Sequence, residues 1–268
     1  MTFLQQTLGK NYKWWYILKY NFRKVNAGLL AIILGAFPKI LNSLMVLLVW
    51  SKANPSIDIF TYLIIGRIYK SFCEGVFDGA ISTDIILGSL TSKIIQPLNF
   101  FSVSFVGYVG RRFLINIIEV LTFLVTAGIS IYFFSPVKLT DSNSLISILC
   151  FIPISFFINF AIGHFVGSLA FFISDKREYS SITDGWYALK AILFGLIVPL
   201  DQLPFPKIFE SLPTSYFVHH PMQIYLGKYT QTEIVQTFVG GIIWCFVLWI
   251  LARLVFKMGL KKNEAVGL

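Results

Sequence analysis

Six stretches of the chain, residues 27–50, 57–76, 113–134, 145–174, 188–200 and 234–256, are dominated by aliphatic and aromatic side chains and are separated by polar or basic segments. A helix that crosses the hydrocarbon of a bilayer needs about 20 mostly apolar residues, because every backbone N–H and C=O must find its partner within the segment. All but residues 188–200 reach that length. Composition points the same way: with 56% hydrophobic and 13% charged residues among 268, the chain has too little polar surface to cover a soluble globule. The sequence therefore reads as an all-α integral membrane protein with six transmembrane helices in a single domain, residues 1–268, with no internal repeat, low-complexity tract or soluble domain.

The net charge of +9 is spread between the apolar segments and forms no continuous patch, which argues against a nucleic-acid partner and makes charge a guide to topology. With a cytoplasmic N-terminus, the inside flanks hold Lys10, Lys13, Lys19, Arg23, Lys24, Lys93, Arg111, Arg112, Lys176, Arg177, Lys190, Lys257, Lys261 and Lys262. The outside flanks hold only Lys52, Lys138, Lys207 and Lys228. Both termini are therefore expected in the cytoplasm. Residues 1–26 lack the continuous apolar core and small-residue cleavage site of a signal peptide, so they are expected to be retained. Within them Trp15, Leu18, Phe22 and Val25 recur at helical spacing while the cations fall elsewhere on the wheel. Such a helix lies along the membrane interface, with its cations on anionic headgroups.

Several chemistries are disfavoured by what the residues lack. Neither Gly9-Lys10 nor Gly227-Lys228 is followed by Ser or Thr, so the chain has no phosphate-binding loop of the Walker type. No ATP or Mg site is expected in it. Cys73, Cys150 and Cys245 stand singly in apolar runs and read as packing residues, without the paired spacing of a metal or disulfide site. His164 reads as a hydrogen-bonded interior residue and His219-His220 as polar groups of an outer loop. Asp58, Asp78 and Asp84 form no acid-rich catalytic motif, so an enzyme is the weaker reading.

The second apolar stretch carries Arg67, Lys70 and Glu74, spaced by three and four and hence stacked on one helical face, where exposure to lipid would be costly. Counting from the start of the third stretch places Glu119 ~9 Å along its helix, at a depth comparable to Lys70 and Glu74. These four charges are expected to face the protein interior, with a Lys70–Glu119 pair as one contact the arrangement allows. They form either an ion-pair network that fixes packing or a polar vestibule or gate. Lys39, after Pro38, either snorkels or lines a cavity and is not assigned as a ligand. The fifth stretch is short, and Pro199, Pro204, Pro206, Pro213 and Pro221 punctuate its end and the segment beyond it. Residues 201–230 therefore read as re-entrant pieces, with Phe205, Phe209, Tyr216, Phe217 and Tyr225 as apolar and interfacial surface.

Two regions carry a family likeness. Residues 196–262 run through Val-Pro-Leu-Asp-Gln-Leu-Pro (198–204), Leu212-Pro213, the Pro221-Met222-Gln223-Ile224-Tyr225-Leu226-Gly227 run, and Gln236 ahead of Trp244 before a basic tail. Residues 77–112 form a polar connection in which Ile86, Leu90 and Ile94 repeat every four residues and Pro97-Leu98 ends the pattern. The order of these elements resembles the permeases of type-2 ABC exporters, in particular a bacterial branch with a separately encoded ATPase. The resemblance implies an elbow helix within residues 1–26 and a cytoplasmic coupling helix between spans 2 and 3, with Gly88, Leu90, Lys93, Ile94, Pro97 and Leu98 at its ATPase contact. It also implies outer re-entrant helices between spans 5 and 6 that cap the translocation path, with Pro199, Pro204, Pro213 and Pro221 in this cap. The implied partners are a cytoplasmic ATPase dimer that binds ATP and Mg, and a second permease subunit, dissimilar or identical. The implied location is the bacterial inner membrane. A secondary transporter using Glu74 or Glu119 as proton carrier is the rival from another class, disfavoured by the missing internal duplication. A polysaccharide-exporting permease is the rival within the class.

Overall fold

The computed structural model describes residues 12–26, 29–53, 56–74, 77–94, 99–133, 137–138, 140–173 and 176–265. All regular elements among them are helical. In chain order they are α1 (Tyr12–Asn26), α2 (Leu29–Lys52), α3 (Ile57–Cys73), α4 (Phe77–Ile86), α5 (Leu90–Ile94), α6 (Phe100–Phe133), α7 (Ser142–Ser168), α8 (Lys176–Leu193), α9 (Pro206–Ser211), α10 (His219–Tyr225) and α11 (Gln231–Ala265). Short 3₁₀ turns cover Leu169–Phe172, Leu200–Gln202 and Pro213–Tyr216. Among the described residues three segments are long and apolar enough to cross a membrane, Ile115–Phe133, Ser142–Phe172 and Gln231–Lys262.

Local chemistry sets several helix ends. Ser56 caps α3 by accepting the Ile59 N–H, and Asp141 caps α7 by accepting from Asn143 and Ser144. At the start of α11 the Glu233 carboxylate accepts the Thr230 N–H at 2.7 Å while the Thr230 hydroxyl accepts the Glu233 N–H at 3.4 Å, a reciprocal capping box. The C-terminus of α3 ends inside the bundle, where its free carbonyls have little water to bond. Neighbouring side chains supply the donors: Asn116 to Phe72 O at 3.2 Å, Asn159 to Cys73 O at 3.1 Å, and Tyr108 O–H to Glu74 O at 2.8 Å.

Ten of the fourteen residues of α3 from Phe60 to Cys73 are buried, so this helix is central. The core joins α3 and α7 to the segment from Thr214 to Leu226, around Leu63, Phe151, Ile158, Phe194, Phe217 and Met222. Ser155 stitches the three together, at 2.8 Å from the Tyr69 hydroxyl and donating to Tyr216 O at 2.7 Å. α11 packs along α7 but leaves most of its apolar surface uncovered, including Val239, Phe246 and Leu254. α1 lies against the first third of α6, so close that a side chain at Gly110 would strike the Leu18 backbone.

Two of the apolar stretches differ most from the helices that contain them. α6 begins at Phe100 and runs unbroken through Arg111 and Arg112, which the apolar pattern sets outside the third span. The fifth apolar stretch falls at the end of α8, which starts at Lys176 and stops at Leu193, so residues 188–200 are half helix and half turn. Gly195 makes that turn, with φ +71°, and Tyr62 fills the space a side chain would need there. Tyr216, Phe217 and Tyr225 are core residues and not interfacial surface; of the five aromatics, Phe205 is the open one, at 74% exposure.

Candidate functional site

α2, α3, α6 and the end of α8 enclose a cleft of about 500 Å³. α2 lines it with Pro38, Lys39, Asn42 and Ser43, α3 with Arg67, Lys70 and Glu74, and α6 with Glu119 and Phe123. Ala191 of α8, with Leu196 and Ile197 from the turn beyond it, forms the remaining wall. On α3 and α6 the lining residues are three or four apart, and on α2 two adjacent pairs recur after four, so each helix offers a single face. The Trp50 indole donates to Ile197 O at 2.9 Å and pins that turn to the end of α2.

Arg67, Lys70, Glu74 and Glu119 thus share one cavity, and Lys39 joins them. The pairing is not the Lys70–Glu119 contact. Lys70 Nζ meets Oε1 of Glu74, the residue that follows α3, at 3.1 Å, and Glu119 Oε1 is paired across the cleft with Lys39. Glu119 is buried, while the Lys39 side chain is 45% exposed. Arg67 is 8% exposed and donates from Nη1 to Leu63 O, one turn back, at 2.9 Å. Among the described residues no carboxylate stands within ion-pair distance of it. Lys39 lines the cavity, one of the two placements its sequence allowed, and is the charge that the spacing argument left out of the cluster. Its signal was a lone cation behind a proline in an otherwise apolar helix.

The segment after α4 makes a second candidate region. Leu87–Ser89 form a turn with Gly88 at φ +69°, followed by the five-residue α5. Asp84 holds this corner, accepting from Ser89 Oγ at 3.0 Å and pairing with Lys93. Leu90 is buried and Ile86 half-buried, so the expected stripe of Ile86, Leu90 and Ile94 is not an outward face. The exposed apolar side chains are Leu87 and Ile94. Pro97 and Leu98 lie outside the described residues.

In the third region Pro199 precedes the turn Leu200–Gln202, Pro206 starts α9, Pro213 opens the turn to Tyr216, and Pro221 sits buried in α10. Pro204 is exposed. His219 and His220, expected in a loop, are buried in α10. His220 Nε2 lies 3.0 Å from Glu210 O, which can only accept, so Nε2 carries the proton; Nδ1 then accepts from the Tyr229 hydroxyl at 2.8 Å. Burial lowers the pKa of His220 to about 4, and that of His219 to about 3. The His219–Glu210 approach of 3.6 Å is therefore not an ion pair near neutral pH. His164 is enclosed by Phe100, Phe101, Phe160 and Phe256, and its own carbonyl accepts from Ser168 Oγ at 2.6 Å.

No curated protein and no solved structure matches the chain. A family model described as ABC-2 family transporter protein matches residues 28–267, nearly the whole helical bundle with its charged cleft. The chain belongs to the ABC-2 transporter family, as a membrane-embedded permease.

Proposed function

We propose that the chain is the transmembrane subunit of an ATP-driven exporter in a bacterial inner membrane, where it forms half of a translocation pathway. The observation that carries the reading is the charged cleft, because a permease helix bundle keeps five ionisable side chains around a cavity only at a cost that packing alone does not require. The family supports an external source of energy. ATP and Mg belong to a cytoplasmic ATPase dimer, and a second permease, dissimilar or identical, completes the pathway.

In this reading six spans place both termini in the cytoplasm, α1 serves as the elbow helix, and the short helices between α8 and α11 cap the outer end. The corner from Leu87 to Ile94 meets the ATPase. Closure of the ATPases pushes this corner, which is tied through α4 to α7, and shifts the balance between two arrangements of the helices around the cleft.

The test is copurification of the chain with the ATPase, and the ATP turnover of the reconstituted complex. Leu87→Asp combined with Ile94→Asp places charge on the two exposed apolar side chains and is expected to lower ATPase recovery about tenfold or more. Full recovery and unchanged turnover would remove this corner from the coupling interface.

A further inference from the structure

The cleft is lined by three cations, Lys39, Arg67 and Lys70, and two anions, Glu74 and Glu119. Both carboxylates have a lysine partner, and the guanidinium that remains is the most buried of the cations. Nη1 of Arg67 donates to Leu63 O, a neutral acceptor on its own helix, so neither the charge nor the rest of the donor fork is matched by a described side chain. A guanidinium held this way costs stability unless water or an anion enters beside it.

We propose that this cleft is a binding site for the single anionic group, phosphate or carboxylate, of an amphiphilic molecule, with Arg67 as the residue that takes the anion. The planar fork of arginine suits two oxygens of one group, which an ammonium does not. Phe123, Ala191, Leu196 and Ile197 supply apolar lining, which accommodates the hydrocarbon next to the head group. The volume is that of a small-molecule site and is too small for a folded polypeptide. The two lysine–glutamate pairs leave the site one positive charge in excess, so a singly charged anion neutralises it. This inference rests on the export reading and names the class of its cargo, unless the anion is a phospholipid of the surrounding bilayer.

The experiment titrates the purified chain, in uncharged maltoside micelles and without ATPase, with radiolabelled dodecanoate. Saturable binding is expected, with no competition from dodecanol or dodecyltrimethylammonium. Arg67→Gln is expected to weaken binding about tenfold or more and Arg67→Lys by less, since the charge stays but the fork is lost. Because Arg67 is buried, Asn42→Asp on the exposed rim serves as a second variant. It adds a carboxylate to the same cleft and is expected to weaken binding about threefold or more while the elution volume of the protein stays unchanged. Repeating the titration in phosphatidylcholine vesicles with or without phosphatidylglycerol separates the two sources. Displacement by phosphatidylglycerol assigns the site to a bilayer headgroup, and persistence assigns it to a dispersed amphiphile. Unchanged affinity in Arg67→Gln and Asn42→Asp, or equal binding of dodecanol, overturns the proposal. Such a failure leaves the ATPase coupling untouched, and failure of coupling leaves the binding site standing.

Discussion

Around α10 two neutral histidines sit in a core of Phe194, Phe217, Val218 and Met222, with the Lys190 ammonium over the Phe194 and Phe217 rings, whereas the cleft is lined by five ionisable side chains. His220 is bonded at both ring nitrogens, and Ser155 ties α3, α7 and the Tyr216 turn together. Neutral groups with fixed partners can be packed as densely as aliphatic ones, and such a region resists rearrangement. Charges exact a desolvation cost on closing that their pairing only partly offsets, so a cleft of this kind stays open to water or to a ligand. The contrast assigns the first region to support and the second to movement.

The sharpest challenge to that contrast is Phe217→Ala. Phe217 is fully buried with its ring 4.4 Å from that of Phe194, and its truncation is expected to cost about 3 to 5 kcal/mol in thermal unfolding of the purified protein. Its ATP turnover per folded molecule in the reconstituted complex should be unchanged. A stable variant with lost turnover would place the moving part in the core instead.

Acid offers the next largest effect. The folded-state pKa values of His219 and His220, about 3 and about 4, lie below the unfolded value of about 6.5. Between these limits the unfolded chain binds protons that the folded one does not, so stability is full above pH ~6.5 and falls as pH drops, by on the order of 1 to 3 kcal/mol per histidine at pH ~4. Asp201 and Lys228 influence His219 in opposite directions, and Glu210, whose pKa burial raises, works against the trend at the acid end. The unfolding midpoint followed against pH should slope this way, and His220→Gln should flatten it. A flat profile in the unaltered protein would mean that these histidines take up protons in place.

The smallest stability change is expected in the cleft, where the functional change is large. Lys39→Met leaves Glu119 buried beside a lost partner; since the ammonium is half exposed, the cost is about 1 to 2 kcal/mol. Lys39→Met with Glu119→Met should regain that stability, because removing both charges removes the desolvation cost. Its ATP turnover in the reconstituted complex should nevertheless stay about tenfold low, a loss equivalent to about 1.4 kcal/mol. Full turnover in the double variant would reduce the pair to packing.

Much of the architecture is legible in the chain because it derives from period and length. Apolar runs near 20 residues announce the helical class, and the three- and four-residue spacing of Arg67, Lys70 and Glu74 suffices to put them on one face. The choice of Lys39 over Lys70 as partner of Glu119 depends on how α2 and α6 approach, which no spacing within one helix encodes. Arg111 and Arg112 read as a membrane flank, yet α6 continues through them towards the stretch that α1 covers. Tyr216 and Phe217 carry surface-like company in sequence, with prolines and histidines beside them, and become core because α3 and α7 close over them. Leu90 turns inward for a related reason, since the Gly88 turn and the Asp84 corner fix the direction of α5.

The most direct measurement is the accessibility of the cleft itself. Asn42→Cys, in a background with the exposed Cys150 replaced by Ser, would be labelled by a membrane-impermeant maleimide in vesicles of each orientation that contain the ATPase. Labelling from the cytoplasmic face without nucleotide, and from the opposite face when ATP is bound and its turnover blocked, is the predicted result. A labelling pattern indifferent to nucleotide, or one that alternates with the ATPase absent, would contradict an ATPase-driven cleft.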